Sequence, residues 1–175
     1  MNTKPSPSGT DSALHTVTAY VALGANLGDR ESNLRSALKQ LDDSHAAIRV
    51  VRVSKFLEYP AVGGPVDSPP FLNAAAEIRT TLTPTDLLYR LLDIERGLGR
   101  SRREKWEPRV IDLDLLLYAD QIIRTDELTV PHPLMHERRF VIEPLAQIAP
   151  DLMHPIRGRC ISELANKWED APPAL

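Results

Sequence analysis

Val110-Ile111-Asp112-Leu113-Asp114-Leu115-Leu116-Leu117-Tyr118 is the stretch on which the fold turns. It is built mainly from Val, Ile and Leu and is free of Gly and Pro, so it reads as a strand. Residues two apart on a strand share a face. Asp112 and Asp114 therefore project together, and Ile111, Leu113, Leu115 and Leu117 project the other way. Two carboxylates held side by side repel and resist desolvation, and a divalent cation relieves both penalties. The plain alternative is an edge strand with one polar face. Asp-x-Asp alone is a weak motif.

Upstream of this strand the elements alternate. Residues 16–23 alternate as a first strand. Asp29 is placed to cap a helix whose Leu34, Ala37, Leu38 and Leu41 recur at helical spacing. Residues 48–57 are β-rich, with a slip of phase between Val50 and Val51 that suggests a bulge. A proline- and glycine-rich loop over 59–70 leads into a third strand marked by Leu72, Ala74, Ala76 and Ile78. Thr83-Pro84 opens a helix with Leu87, Leu88, Leu91 and Leu92 inward, ending near Gly97 or Gly99. The quoted strand comes fourth. The order β-α-β-β-α-β predicts a ferredoxin-like α+β fold, an antiparallel sheet with both helices on one face. A short strand at 122–125 and a C-terminal helical extension follow, with a last helix near 161–168. Residues 1–15 and 170–175 read as loose tails around one domain at 16–169.

Composition narrows the function. A net charge of −3, with 5% aromatic residues, argues against a general nucleic-acid or anionic-membrane binder. A single cysteine, Cys160, allows no internal disulfide and fits a reducing cytosol. No apolar run is long enough to span a membrane, and the N-terminus lacks a signal-peptide pattern.

Gly99-Arg100-Ser101-Arg102-Arg103-Glu104-Lys105-Trp106-Glu107-Pro108-Arg109 precedes the aspartates, with Arg96 just before it. Such a charge run is usually solvated. Ending at an acid pair, it suits phosphate oxygens, and Gly97 and Gly99 suit a closing lid. His132, between Pro131 and Pro133, sits in a stiff segment from which it could donate to a phosphate, or it is a structural surface histidine. His132, His136 and His154 offer no frame for zinc. Asn73 points away from the face of Leu72 and either reads the edge of a heterocycle or enters a turn. No P-loop, nucleophile elbow, protein-kinase signature or dinucleotide fingerprint is present.

Taken in order, Gly24-Ala25-Asn26-Leu27-Gly28-Asp29, Phe71-Leu72-Asn73, Gly99-Arg100, Trp106-x-Pro108-Arg109-x-x-Asp112-Leu113-Asp114, Pro131-His132-Pro133 and Arg138-x-Phe140 resemble the 6-hydroxymethyl-7,8-dihydropterin pyrophosphokinases. The resemblance implies a cytoplasmic monomer that transfers diphosphate from ATP to the pterin hydroxymethyl group, releases AMP and serves folate biosynthesis. It implies two Mg²⁺ ions on Asp112 and Asp114, and a catalytic set of those two residues with Arg100 and Arg109. Glu95, Arg100, Arg102, Arg109, His132 and Arg138 would belong to ATP. Tyr59, Pro60, Val62, Phe71, Asn73, Trp106 and Phe140 would belong to the pterin. The chain departs from the family pattern at Glu107, where glycine is common, at Tyr59, where a smaller residue is common, and at Leu92. An RNA-binding module on the same fold and a different Mg²⁺-dependent phosphotransferase are the rival readings.

Overall fold

β1 (Val17–Ala25) runs through the middle of the sheet and pairs antiparallel on both sides. The computed structural model describes residues 15–42, 46–61, 68–99 and 109–168. After β1 come α1 (Arg30–Asp42), β2 (Ile48–Val53), β3 (Leu57–Tyr59), β4 (Phe71–Thr80), α2 (Pro84–Gly97) and β5 (Asp112–Tyr118). A smaller C-terminal part follows: β6 (Ile123–Arg124), β7 (Thr129–Val130), α3 (Arg139–Ile148), β8 (Met153–His154), β9 (Arg159–Cys160) and α4 (Ile161–Ala165). The main sheet is ordered β2-β4-β1-β5, with β3 continuing the β2 side of β4. This is the expected ferredoxin-like arrangement.

Both crossover helices start where the sequence places their caps. Asp29 Oδ1 accepts from Ser32 N at 3.0 Å, and Thr83 Oγ1 accepts from Asp86 N at 3.2 Å with Pro84 in the first turn. α1 buries Leu34, Ala37 and Leu41; α2 buries Leu87, Leu91, Ile94 and Glu95. Ile94, rather than the expected Leu92, completes the inward face of α2. These residues meet Ala19, Val21, Leu23, Ala74, Ala76 and Ile78 in one core. The other face of the sheet is covered as well. Tyr20, Ala75, Leu116 and Leu117 pack against Val141, Ile142 and Leu145 of α3 and Ile161 and Leu164 of α4. The result is three layers, with the C-terminal helices forming the third.

Two bulges shape the sheet. In β2, Val50 pairs with Ile78 and Arg52 with Glu77, leaving Val51 over, as the break in alternation predicts. The strand expected over 48–57 is divided: Ser54 N donates to Ala75 O and Ser54 Oγ accepts from Ala75 N, both at 2.9 Å, before β3 resumes the ladder. The second bulge corrects an expectation. Val21 pairs with Leu115 and Tyr20 with Leu117, so Leu116 is the extra residue. The phase inverts there, and Leu117 packs with Tyr20 on the face of the aspartates instead of beside Leu113 and Leu115. The expected tails, residues 1–15 and 170–175, lie outside the described residues apart from His15.

Candidate active site

Gly24 fixes the middle of a cleft on the α3 side of the sheet. It pairs with Asn73 across β4 and with Asp112 across β5, and Ala22 pairs with Asp114. The period of two thus brings Asn73, Asp112 and Asp114 to one face. All three line a cavity of about 150 Å³ with Tyr59, Pro60, Phe71, Arg109, Arg138 and Phe140. Gly24 leaves the room this requires, because a Cβ there would lie 3.0 Å from Asn73 Oδ1 and 3.7 Å from the Phe71 ring.

The acid pair is held by its surroundings. Arg109 Nη1 donates to Asp112 Oδ2 at 2.5 Å. Asp114 Oδ2 stands 3.9 Å from His132 Nε2 and 4.0 Å from Arg138 Nη1, beyond direct hydrogen-bond reach. Burial, and then the neighbouring Asp112 charge, raise the Asp114 carboxyl above its ordinary value, with His132, Arg138 and Arg109 pulling the other way. The side chain keeps 37% of its surface open at the cleft, yet the carboxyl is recessed enough for desolvation to dominate. His132 Nδ1 accepts from Leu134 N at 3.3 Å, which assigns the proton of the neutral ring to Nε2 and points a donor at Asp114. Burial lowers the His132 pKa, so the neutral ring is favoured. Its backbone N donates to the carbonyl of the bulged Leu116 at 2.9 Å, so the β5 irregularity sets where His132 stands.

Two hydrogen-bonding residues beside the cleft have no role in the sequence reading: Asn26 stands in a quoted motif without one, and Arg30 is not singled out at all. Asn26, 3% exposed, accepts from Arg109 N through Oδ1 at 2.6 Å and donates to Pro69 O through Nδ2 at 3.3 Å. Its backbone N donates to Arg109 O at 3.0 Å. Arg109 therefore enters β5 from a fixed point. Arg30 adds a bond from Nη1 to Pro70 O at 2.7 Å and an ion pair with Glu58 at 2.6 Å. A buried Asn just past a strand was the available signal; its partners, far off in sequence, were not.

The other predicted residues divide. Tyr59, Pro60, Phe71, Asn73 and Phe140 stand together in the cleft with Arg109, Asp112, Asp114 and Arg138. The Tyr59 and Phe140 rings meet edge-on, with centroids 6.4 Å apart at 60°. Tyr59 OH donates to Glu143 Oε2 at 2.6 Å, and burial together with that carboxylate pushes the phenol well above its ordinary range. Glu95 is not among the cleft residues. It is 1% exposed on α2, and its Oε1 accepts from Leu113 N at 2.7 Å, between the two aspartates in sequence. One of its two carboxylate oxygens is thus engaged by the backbone amide of β5, and the expectation of a side chain on the ATP side finds no support in the lining of the cleft. Val62, Arg100, Arg102 and Trp106, with Glu107 and the expected lid, lie outside the described residues.

Among the described residues no three His, Cys, Asp or Glu side chains come together as a metal cage. Two carboxylates on one face fit a smaller demand. Magnesium is commonly held by one or two carboxylates with phosphate oxygens and water filling the other positions. Burial first, and then the Asp112 charge, raise the proton affinity of Asp114, and a bound cation would offset both.

Residues 20–150 match the family model described as 7,8-dihydro-6-hydroxymethylpterin-pyrophosphokinase. The chain is 50% identical over 130 residues to the 2-amino-4-hydroxy-6-hydroxymethyldihydropteridine pyrophosphokinase of Bacillus subtilis, covering 74% of this chain and 77% of that one. It is 43% identical over 157 residues to the Haemophilus influenzae enzyme of the same name, covering 88% and 94%. Its fold is like that of Plasmodium falciparum HPPK-DHPS, solved with pterin and p-hydroxybenzoate, at a TM-score of 0.70 and 16% identity. That alignment covers 89% of this chain but only 42% of the longer one, so the chain spans less than half of that protein.

Proposed function

The chain belongs to the 7,8-dihydro-6-hydroxymethylpterin-pyrophosphokinase family, and from that premise we propose how its cleft carries out pyrophosphoryl transfer from ATP to 6-hydroxymethyl-7,8-dihydropterin in folate biosynthesis. The observation that carries the reading is the meeting at Gly24 of the acid pair and the aromatic, amide-bearing pocket. One part suits a polyphosphate and the other a flat heterocycle.

The pterin hydroxymethyl oxygen forms a bond to the β-phosphorus of ATP and gives up its proton to solvent, the bond from that phosphorus to the bridging oxygen of the α-phosphate breaks, and AMP leaves. Asp112 and Asp114 would hold Mg²⁺, which when bound offsets triphosphate charge and polarises phosphoryl oxygens. Arg109 and Arg138 bring guanidinium groups to the same cleft, where they suit non-bridging oxygens. Neutral His132 presents its Nε2–H beside Asp114 and so acts as a donor on that side, not as a base. Asn73 offers amide donors and an acceptor to the pterin edge, and Tyr59, Phe71 and Phe140 exclude water from its faces. Glu95 and Asn26 are positioning residues that hold Leu113 and Arg109. Arg100, Arg102, Trp106 and Val62 are assigned to the two substrates on the motif resemblance alone. We further propose a monomer acting in the cytoplasm; no helix in the described residues is long and apolar enough to cross a membrane.

Chromatography of the nucleotide products tests the reading. AMP should appear only when the pterin is present, in equal amount with pterin diphosphate. ADP as product, or AMP formed without the pterin, would overturn it.

A further inference from the structure

Three polar side chains form a connected chain at the pterin end of the cleft, and of these the reaction above uses only the Tyr59 ring. Tyr59, 4% exposed on β3, donates its hydroxyl to Glu143 Oε2 of α3 at 2.6 Å. Glu143 Oε1 accepts from Arg139 Nε at 2.6 Å, one helical turn earlier. The Arg139 guanidinium then lies 6.0 Å from the centre of the Tyr59 ring, so the chain returns to the ring where it began. The same ring meets Phe140 edge-on. Arg138, the residue before Arg139, lies over the Phe140 ring at 5.8 Å and faces Asp114.

We propose that the Tyr59–Glu143–Arg139 chain is a positioning device for the pterin: it fixes the Tyr59 ring against Phe140 and thereby sets how tightly the flat heterocycle binds. This rests on the pterin assignment of the cleft made above. Were packing its only task, a buried phenylalanine at 59 would suffice, and it would leave no hydroxyl to satisfy. The hydroxyl instead makes a charge-assisted bond to a carboxylate that is itself held by a guanidinium, a geometry that removes rotational freedom from all three side chains. β3 has three residues and lies at the outer end of the sheet, so the tie to α3 also fixes the strand that carries Tyr59. Arg139 is occupied by Glu143, which leaves Arg138 as the guanidinium from the start of α3 that faces the acid pair.

The test uses the full chain carrying Tyr59→Phe, Glu143→Leu or Glu143→Gln, with melting temperature and the separate KM values for pterin and ATP as readouts. Tyr59→Phe and Glu143→Leu should each raise the pterin KM about tenfold, the effect expected of losing one charge-assisted bond, with the ATP KM within about twofold. The double variant should be no worse than either single one, because both break one chain. Glu143→Gln keeps an acceptor for the phenol and should recover most of the loss. A folded Tyr59→Phe enzyme with an unmoved pterin KM would overturn the proposal. So would pterin and ATP KM values that rise together with a fallen melting temperature, since that marks a purely structural tie. If Glu143→Leu does not fold, Tyr59→Phe decides by the same criteria. An active wild type with an unmoved Tyr59→Phe removes only the positioning role, whereas a wild type that releases no AMP removes the proposed reaction and this inference with it.

Discussion

At the residue scale, Gly24 and Asp114 show opposite relations between stability and use. Gly24 is needed for space. Gly24→Ala places a methyl group 3.0 Å from Asn73 Oδ1, so the amide must give by a few tenths of an ångström. The pterin KM should rise several-fold while the ATP KM holds, and equal rises in both would contradict the placement. Asp114 is needed for charge that the fold resists. Its carboxyl has a folded proton affinity above the ordinary 3.8, so its favourable contribution is present below that pH and is lost as pH rises through the folded value. Asp114→Asn should therefore melt higher than wild type at pH 7 without metal, with the difference vanishing below about 3.8. Its kcat should fall at least about 100-fold. A lower melting temperature at pH 7 would contradict the strain assigned to this residue. The acid pair was legible in sequence because strand alternation is local. The role of Gly24 was not, since it depends on a side chain that reaches it only across the ladder from β4.

At the element scale, β5 is positioned from outside itself. The buried carboxylate of Glu95 accepts from Leu113 N, Asn26 holds Arg109 N, and the Leu116 carbonyl takes His132 N. Glu95→Leu leaves the Leu113 amide unpaired in the core and should lower stability by about 1–3 kcal/mol, with kcat falling as the acid pair loses its register. Glu95→Gln keeps an acceptor and should recover most of both. Chemical denaturation and turnover of the two variants check this, and equal losses in both would contradict the hydrogen-bond role. The two bulges show what a sequence reveals of an element. The slip at Val51 breaks a visible alternation with polar neighbours. The slip at Leu116 falls inside Leu115-Leu116-Leu117, where both phases are apolar and the pattern carries no sign of it.

At the scale of the whole molecule, the sheet has a core on each face, and the C-terminal part supplies the one against which the cleft is built. That part contains His136 and His154, whose rings meet edge-on with centroids 5.7 Å apart. Burial lowers the pKa of both, with Arg157 adding to each and His136 to His154. Depressed histidines contribute stability above their ordinary 6.5 that is lost as pH falls through the folded values. The melting temperature should decline on acidification below about 6.5, and His154→Phe should flatten that slope. An unchanged slope in the variant would contradict the assignment. The ferredoxin-like order of elements was legible because each strand and helix carried its own period. The second core was hidden because its sheet residues, such as Tyr20 and Ala75, read as the outer face until α3 covers them. The central claim is that Asp112 and Asp114 jointly hold a divalent cation against the phosphates of ATP. Calorimetric titration of ATP with and without Mg²⁺ tests it most directly. Mg²⁺ should tighten ATP binding to the wild type by about tenfold or more and leave binding to folded Asp112→Asn and Asp114→Asn unchanged; the same tightening in the variants would contradict it.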